Sequence, residues 1–580
     1  MNKVWKTLMV PVVVVLILCV PAFSQEPSKP VYGVIEELDV KVPMQDGVLL
    51  SANIYRPDAQ GQFPVIVQRT PYGNGGKDNR GGHFWAERGY VMVVQDVRGK
   101  FESQGEWRPF IDEGKDGFDT IEWLGRQPWS NGRVGSSGGS YVGFTQWMLA
   151  PLGSSFLKAM FPTVASGNCY EIAYSGGAFL LSLMTGWGTV VSAQPGEKVN
   201  DYPWQELFKR LPLSTWDTGI GREIPFMRAW VEHPTEDAYW APAVIDGQYE
   251  RIEALSFNVG GWYDIFAAAT VDNYVQMAQH GKTEAIRKGQ RLLMGPWAHG
   301  LSKDGSVGEM AFGKHALMSL RDLELRWFDF ALKGMNNGVT NEAPIKIFVM
   351  GANLWREEYE WPLARTQFTK FYLHSQGKAN TLSGDGVLSR EMPGVQAPDR
   401  YTYDPTNPVP TAGGNNLFGV PIGPYDQRKV EERSDVLVYS SPVLEKAVEV
   451  TGPIKLVLYA ASNATDTDFT AKLVDVHPMG YAQNLVDGII RARYRISKKT
   501  PSLIDPGQVY AYEIDLGVTS NVFHAGHRIR VEISSSNFPR FDRNPNTGHA
   551  FGVDDVVISA EQAIYHDTEH ASYIFLPIIE

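Results

Sequence analysis

Three side chains, each at the end of an apolar run, have the types and order for acyl-transfer chemistry. Ser140 stands in GSSGGSYVG (135–143), Asp264 in FNVGGWYDIF (257–266) and His299 in LLMGPWAHG (292–300). A serine hydroxyl attacks a carbonyl only when a base takes its proton and an acid orients that base. GSSGGSYVG joins a short strand-like run, NGRVGSSG, to an apolar run with helical character, YVGFTQWMLA. A strand that becomes a helix within two residues needs glycines, because side chains would collide at the corner. Gly138, Gly139 and Gly143 supply that relief and put Ser140 at a helix N-terminus, where developing negative charge is favoured. This is a nucleophile elbow, although Val142 departs from the strict G-x-S-x-G pattern. Ser136 and Ser137 are rival nucleophiles, but their strand positions aim them into packing. A flexible Gly/Ser linker would have polar flanks, which are absent here.

Asp264 alone reads as a helix N-cap, and His299 alone as a loop histidine. In the order Ser, Asp, His, each at the C-terminal end of a strand, they read better as a triad. Of the 12 histidines, His299 alone combines that position with that order. An oxyanion also needs hydrogen-bond donors. One candidate is the backbone N–H of Tyr141, next to the nucleophile. The other is Tyr72 in RTPYGNGG, for which, on its residues alone, a buried packing tyrosine is the commoner reading.

The elements that must position these groups follow from hydrophobic period. VKVPMQDGVLLSANIYRP predicts a hairpin with a type I′ turn at Asp46-Gly47. Continuous apolar runs, PVIVQRTPY and YVMVVQDVRG, alternate with the helical period of Phe118, Ile121 and Leu124. That alternation predicts a mainly parallel α/β core over 33–164, resuming over 246–342. Residues 165–245, rich in Trp, Leu and Gly, break it and predict a helical cap. From 343 to 580 the helical period vanishes, and runs such as DFTAKLVDVH and HRIRVEISSS predict an all-β domain. Ile529, Val531 and Ile533 alternate with Arg528, Arg530 and Glu532, as in a half-buried antiparallel strand.

The first 24 residues, with Lys3, Lys6, an apolar run and Ala22-Phe23-Ser24, predict a signal peptide. The expected location is therefore periplasmic or extracellular, with no membrane span once the signal is removed. Lipidation of Cys19 is disfavoured by the bulky Leu18 before it. The net charge is −12 and becomes more negative when the signal leaves, which argues against nucleic acid as a partner. Only Cys19 and Cys169 are present, so the mature chain has no internal disulfide. The pair His524 and His527 has no companion ligands and sits in a β domain, so no metal site is expected. DRNPNTG (542–548) fails as a calcium loop because Val553 cannot ligate. No cofactor is implied, and oligomeric state, including a homo-oligomer, stays open.

TPYG (70–73), DVRGKFESQG (96–105), QPWSNGRVGSSGGSYVG (127–143), GWYDIF (261–266), GPWAHG (295–300), DTDFTAKLVDVHPMG (466–480) and GHRIRVEISSSNFPRFDRNPNTG (526–548) together resemble one family. It is the serine hydrolases that include cocaine esterase, α-amino acid ester hydrolases, glutaryl-cephalosporin acylases and X-Pro dipeptidyl-peptidases of the S15 type. The resemblance runs from about Gly33 to the end. It implies an α/β-hydrolase core, a helical cap and a C-terminal jelly-roll β domain. It places the nucleophile on Ser140, the acid on Asp264, the base on His299 and the phenolic oxyanion donor on Tyr72.

The α-amino acid ester hydrolases bind a substrate ammonium with carboxylates, two of them just after the triad acid. Here that place reads Asp264-Ile265-Phe266-Ala267, without a second carboxylate. An unpaired buried ammonium is costly. The expected substrate is therefore a small-molecule ester or amide of a neutral or acidic acyl group. X-Pro dipeptidyl-peptidase activity is the alternative, although those enzymes typically carry N-terminal structure for which this chain has no room. A carbohydrate- or surface-binding protein with an inactive hydrolase core is the rival of another class.

Overall fold

The computed structural model describes residues 25–194 and 196–580. The predicted signal peptide, with Cys19, lies outside the described residues. A ten-stranded sheet carries the first part of the chain. Its strands are β1 (Val34–Pro43), β2 (Leu49–Pro57), β3 (Phe63–Thr70), β4 (Val91–Asp96), β5 (Ser130–Gly139), β6 (Leu157–Thr163), β7 (Leu255–Gly261), β8 (Arg291–Gly295), β9 (Ile345–Val349) and β10 (Leu354–Glu358). Their order is β1-β2-β4-β3-β5-β6-β7-β8-β9-β10. From β4 through β9 every neighbouring pair is parallel, and the two ends are antiparallel.

The continuous apolar runs are explained by burial on both faces. Val65, Val67, Val91 and Val93 face the helices Glu113–Gly125 and Tyr141–Leu149. Ile66, Met92 and Val94 face the helix Leu320–Ala331 through Phe328 and Leu332. Parallel strands with their C-terminal ends on one edge bring the loops after β3, β5, β7 and β8 together. Those loops hold Tyr72, Ser140, Asp264 and His299.

The β1–β2 hairpin forms, but its turn differs from expectation. Met44 N–H donates to Val48 O at 2.8 Å, which leaves Gln45, Asp46 and Gly47 as the loop. Gly47 has φ 86°, whereas Asp46 is not left-handed. A type I′ turn needs two left-handed residues, and Asp46 does not pay the steric cost when a third loop residue is available.

The helical segment is present, with helices Cys169–Ala173, Leu181–Val191, Trp204–Phe208 and Pro225–Glu232. A second, eleven-stranded sheet runs from the strand Thr366–His374 to Tyr573–Ile579 and forms a separate C-terminal β domain. The segment expected to be all-β from 343 opens with two strands that join the first sheet. β9 pairs parallel to β8, Leu292 opposite Ile345, so residues 345–358 complete the core sheet. A strand pattern reports its own period and not which sheet it joins. The strand Arg528–Ser534 is also not half-buried. Arg530 meets Glu431 at 2.7 Å and Glu532 meets Lys472 at 3.4 Å inside the domain, so the charged face is covered as well. No helix among the described residues is long and apolar enough to cross a membrane.

Candidate active site

β5 delivers Ser140 to the top of the sheet with φ 57° and ψ −126°. A non-glycine residue there costs on the order of 1–3 kcal/mol and must be held by its surroundings. The hold is visible. Ser140 N–H donates to Thr163 O on β6, and Ser140 O accepts from Gly143 and Phe144, each at 2.9 Å. A Cβ at Gly138 would lie 2.3 Å from the Val142 side chain, and one at Gly143 would lie 2.5 Å from Ala165. The turn closes because neither atom exists.

His299 Nε2 lies 2.8 Å from Ser140 Oγ, and His299 Nδ1 lies 2.6 Å from Asp264 Oδ2. Asp264 is wholly buried, and its other oxygen accepts from Phe266 N–H at 2.8 Å. With Nδ1–H donating to that carboxylate, the imidazole turns its Nε2 lone pair to the serine proton. The loop carrying the acid is clamped from the β domain. Asn415 Nδ2 donates to Trp262 O at 3.0 Å and Asp264 O at 2.7 Å, and Arg540 holds Asn415 O at 2.6 Å.

Tyr141 opens the helix Tyr141–Leu149, so its N–H has no intrahelical acceptor. Its side chain is locked: the phenol donates to Glu113 Oε1 at 2.6 Å and accepts from Phe110 N–H at 3.0 Å. Glu113 in turn meets the buried Arg69 at 3.0 Å. Burial pushes the Glu113 carboxyl up, with Arg69 opposing it. Tyr72 accepts from the Trp187 indole N–H at 3.0 Å, leaving its own O–H free to donate. Burial pushes the Tyr72 phenol above its ordinary value, against the smaller opposite effect of Trp187, so it remains a protonated donor at neutral pH.

An apolar pocket opens beside Ser140. Phe110, Phe144, Leu183, Trp187, Phe266 and Leu417 line it, and no lining side chain is charged. Trp187 stacks on Tyr141 at 5.6 Å and on Trp230 at 6.0 Å between centroids, which fixes the pocket wall. Past Ser166 a larger chamber of about 400 Å³ lies between the helical segment, residues 264–269 and the β domain. It carries Glu171, Asp487, Glu513 and Asp515 against Lys498 and Arg540.

Ser140, Asp264 and His299 thus meet in one hydrogen-bonded line, with Tyr72 on the same edge of the sheet. The rival serines are engaged elsewhere: Ser137 Oγ bonds Glu324, and Ser136 Oγ bonds Gln146 at 3.3 Å. Cys169 is buried, and burial pushes its thiol well up, so it is no nucleophile. Asp542 of the rejected calcium loop pairs with Arg491 at 3.0 Å. Trp187 and Asn415 were not foreseen. Both lie in segments without a period, and their roles rest on contacts across 115 and 151 residues of chain.

Residues 46–301 match the X-Pro dipeptidyl-peptidase (S15 family) profile, and residues 337–575 match the X-Pro dipeptidyl-peptidase C-terminal non-catalytic domain. Cocaine esterase of Rhodococcus sp. (strain MB1 Bresler) is 38% identical, over 93% of this chain and 98% of its own length. Among solved structures, an α-amino acid ester hydrolase labelled with selenomethionine superposes with TM-score 0.79 at 27% identity, covering 97% of this chain and 99% of its own. An aminopeptidase from a marine-sediment Thaumarchaeota archaeon gives TM-score 0.80 at 26% identity, with the same coverage. Fold, site and relatives agree on a serine hydrolase. Within that class, the chain belongs to the S15 peptidase and cocaine esterase (CocE/NonD) family.

Proposed function

We propose that the protein is an exported esterase or acylase that cleaves esters or amides of a neutral acyl group through a Ser140–His299–Asp264 acyl-enzyme. His299 takes the Ser140 proton as Oγ bonds to the acyl carbon. The carbonyl electrons move to oxygen, which Tyr72 O–H and Tyr141 N–H stabilise. Asp264 steadies the imidazolium, which then protonates the leaving alcohol or amine. Water, deprotonated by His299, releases the acid and restores Ser140. In this reading the helical segment 165–245 is a cap over the site, the C-terminal domain is a jelly roll that walls it, and residues 1–24 direct export.

The observation that carries the acyl preference is the pocket beside Ser140, which offers aromatic and aliphatic walls and no charged partner. A charged acyl group entering it would lose its hydration without compensation. The acid-rich chamber next door favours a second reading, X-Pro dipeptidyl-peptidase activity, because Glu171, Glu513 and Asp515 lie where a free N-terminus has somewhere to go. A neutral aryl ester and a Gly-Pro anilide, assayed in parallel with Ser140→Ala as blank, separate the two. Ester cleavage alone supports the first. Efficient anilide cleavage gives the site to the peptidase reading. Equal residual rates in wild type and Ser140→Ala overturn both.

A further inference from the structure

Outside the triad, the end of the β domain gathers two imidazoles and a carboxylate. Asp475 and His477 are two residues apart at the end of the strand Asp468–Val476, so they point to one face. The strand Arg528–Ser534 lies antiparallel beside it, with Asp475 opposite Ile529 and Val476 opposite Arg528. One step further along that register brings His527 opposite His477. One ligand atom from each of Asp475, His477 and His527 lies within 4.8 Å of the other two. His527 Nδ1 is 2.7 Å from Asp475 Oδ1, and the two imidazole rings are 4.5 Å apart. Asp475 and His527 are buried, and His477 sits at the rim.

The surroundings fix the imidazole at the rim. Gln483 Nε2 donates to Tyr263 OH at 3.1 Å, whose proton goes to Asn484 O at 3.1 Å. Gln483 therefore turns its oxygen to His477 Nε2 at 3.2 Å. That nitrogen carries the hydrogen, and Nδ1 is left with a free lone pair. An imidazole whose second nitrogen is tied to a fixed acceptor is the usual support of a metal-ligating histidine. Asn521 Nδ2 steadies the far oxygen of Asp475 at 3.3 Å.

We propose that Asp475, His477 and His527 form a binding site for zinc or a similar divalent transition metal, separate from the catalytic triad. Two nitrogens and one carboxylate suit zinc, whereas calcium and magnesium take all-oxygen shells. Tetrahedral bonds of about 2.0–2.2 Å need donors roughly 3.3 Å apart, so the His527–Asp475 pair opens by about half an ångström as the metal replaces the proton between them. The fourth position is left for water; His524, whose ring is 5.5 Å from that of His527, is bonded through Nε2 to Gly351 O at 3.1 Å. The site ties together the ends of two strands and, through Gln483 and Tyr263, reaches the residue before Asp264.

The test uses the full-length protein, stripped with a chelator and titrated with Zn²⁺ by calorimetry and with Co²⁺ by visible absorption. The expected result is one metal per chain, the d–d bands of tetrahedral Co²⁺, and a Tm that rises with zinc. His477→Ala and His527→Ala each weaken binding by at least about tenfold. Glu36→Gln, in a second cluster of potential ligands among the described residues (Glu36, Asp78 and His83), leaves it unchanged. Far-UV circular dichroism certifies each variant's fold, and His477→Gln, altered only at the rim, is read in place of any that fails. No saturable binding by wild type, or undiminished binding by the folded His477 variants, overturns the proposal.

Discussion

Trp187→Phe isolates a contact that sequence patterns do not reveal. The indole N–H donates to the Tyr72 phenol oxygen at 3.0 Å, which leaves the Tyr72 O–H free to act as the oxyanion donor of the proposed mechanism. A phenyl ring keeps most of the aromatic packing against Tyr141 and Trp230 but removes the donor. An oxyanion donor is worth about 3–4 kcal/mol, so Tyr72→Phe is predicted to lower kcat about 10²–10³-fold. A hydrogen bond accepted by the phenol strengthens its donation by about a tenth to a third, or about 0.3–1.2 kcal/mol. Trp187→Phe is therefore predicted to lower kcat about 2- to 7-fold. Trp187 also lines the acyl pocket, and that contribution is read in KM. The decisive measurement is the double-mutant cycle on kcat for an aryl ester. With Tyr72→Phe already in place, Trp187→Phe should cost nothing further in kcat. An equal loss in both backgrounds refutes the polarised-phenol reasoning and leaves Trp187 as pocket wall only.

Other expectations follow from single contacts. Asn415→Ala removes two hydrogen bonds to the acid loop and should cost about 1–2 kcal/mol of stability and about tenfold in kcat, measured by denaturant titration and ester turnover; unchanged kcat would show that the loop holds itself. Burial raises the Asp96 carboxyl to about 7, so the native protein keeps a proton that the unfolded chain releases near 3.8. Its stabilising contribution is full below about pH 4 and lost as pH rises towards 7. Asp96→Asn should accordingly raise stability at pH 8 by up to about 4 kcal/mol and change little at pH 4; parallel pH profiles for the two proteins would count against it. Gly143→Val places a Cβ 2.5 Å from Ala165 and 3.1 Å from Thr163 O, and should lose at least about 1–3 kcal/mol together with ester turnover; wild-type turnover would show that the elbow tolerates a side chain there.

What was legible in the sequence was local or ordered along the chain. Gly138, Gly139 and Gly143 announce the elbow because the corner has no room for side chains. The apolar runs ending at Asp264 and His299 announce two strand ends on one edge. The loss of helical period after 343 did not show that residues 345–349 pair with the first sheet, since a strand pattern does not name its partner. The ionic partners of Arg530 and Glu532 were equally hidden, because Glu431 and Lys472 lie 99 and 60 positions away. The neighbours of His527 were hidden for the same reason: Asp475 and His477, which gather around it, lie about fifty positions upstream. Trp187 and Asn415 act through folded distance alone.

The clamp from Asn415 also has a consequence in time. Ser140, Asp264 and His299 all precede residue 300, whereas Asn415, Asn484 and Arg540, which hold the acid loop or its neighbour Tyr263, are made last. A ribosome emits Ser140, Asp264 and His299 long before their brace. The growing chain therefore carries a serine whose acid loop is still unsupported, and the hydrolase matures only when its C-terminal third has folded back. A chain ending at residue 362, which keeps β9 and β10 of the core sheet, purified and assayed for labelling by a fluorophosphonate, should react far more slowly than the whole protein. Rapid labelling would show that the brace is dispensable.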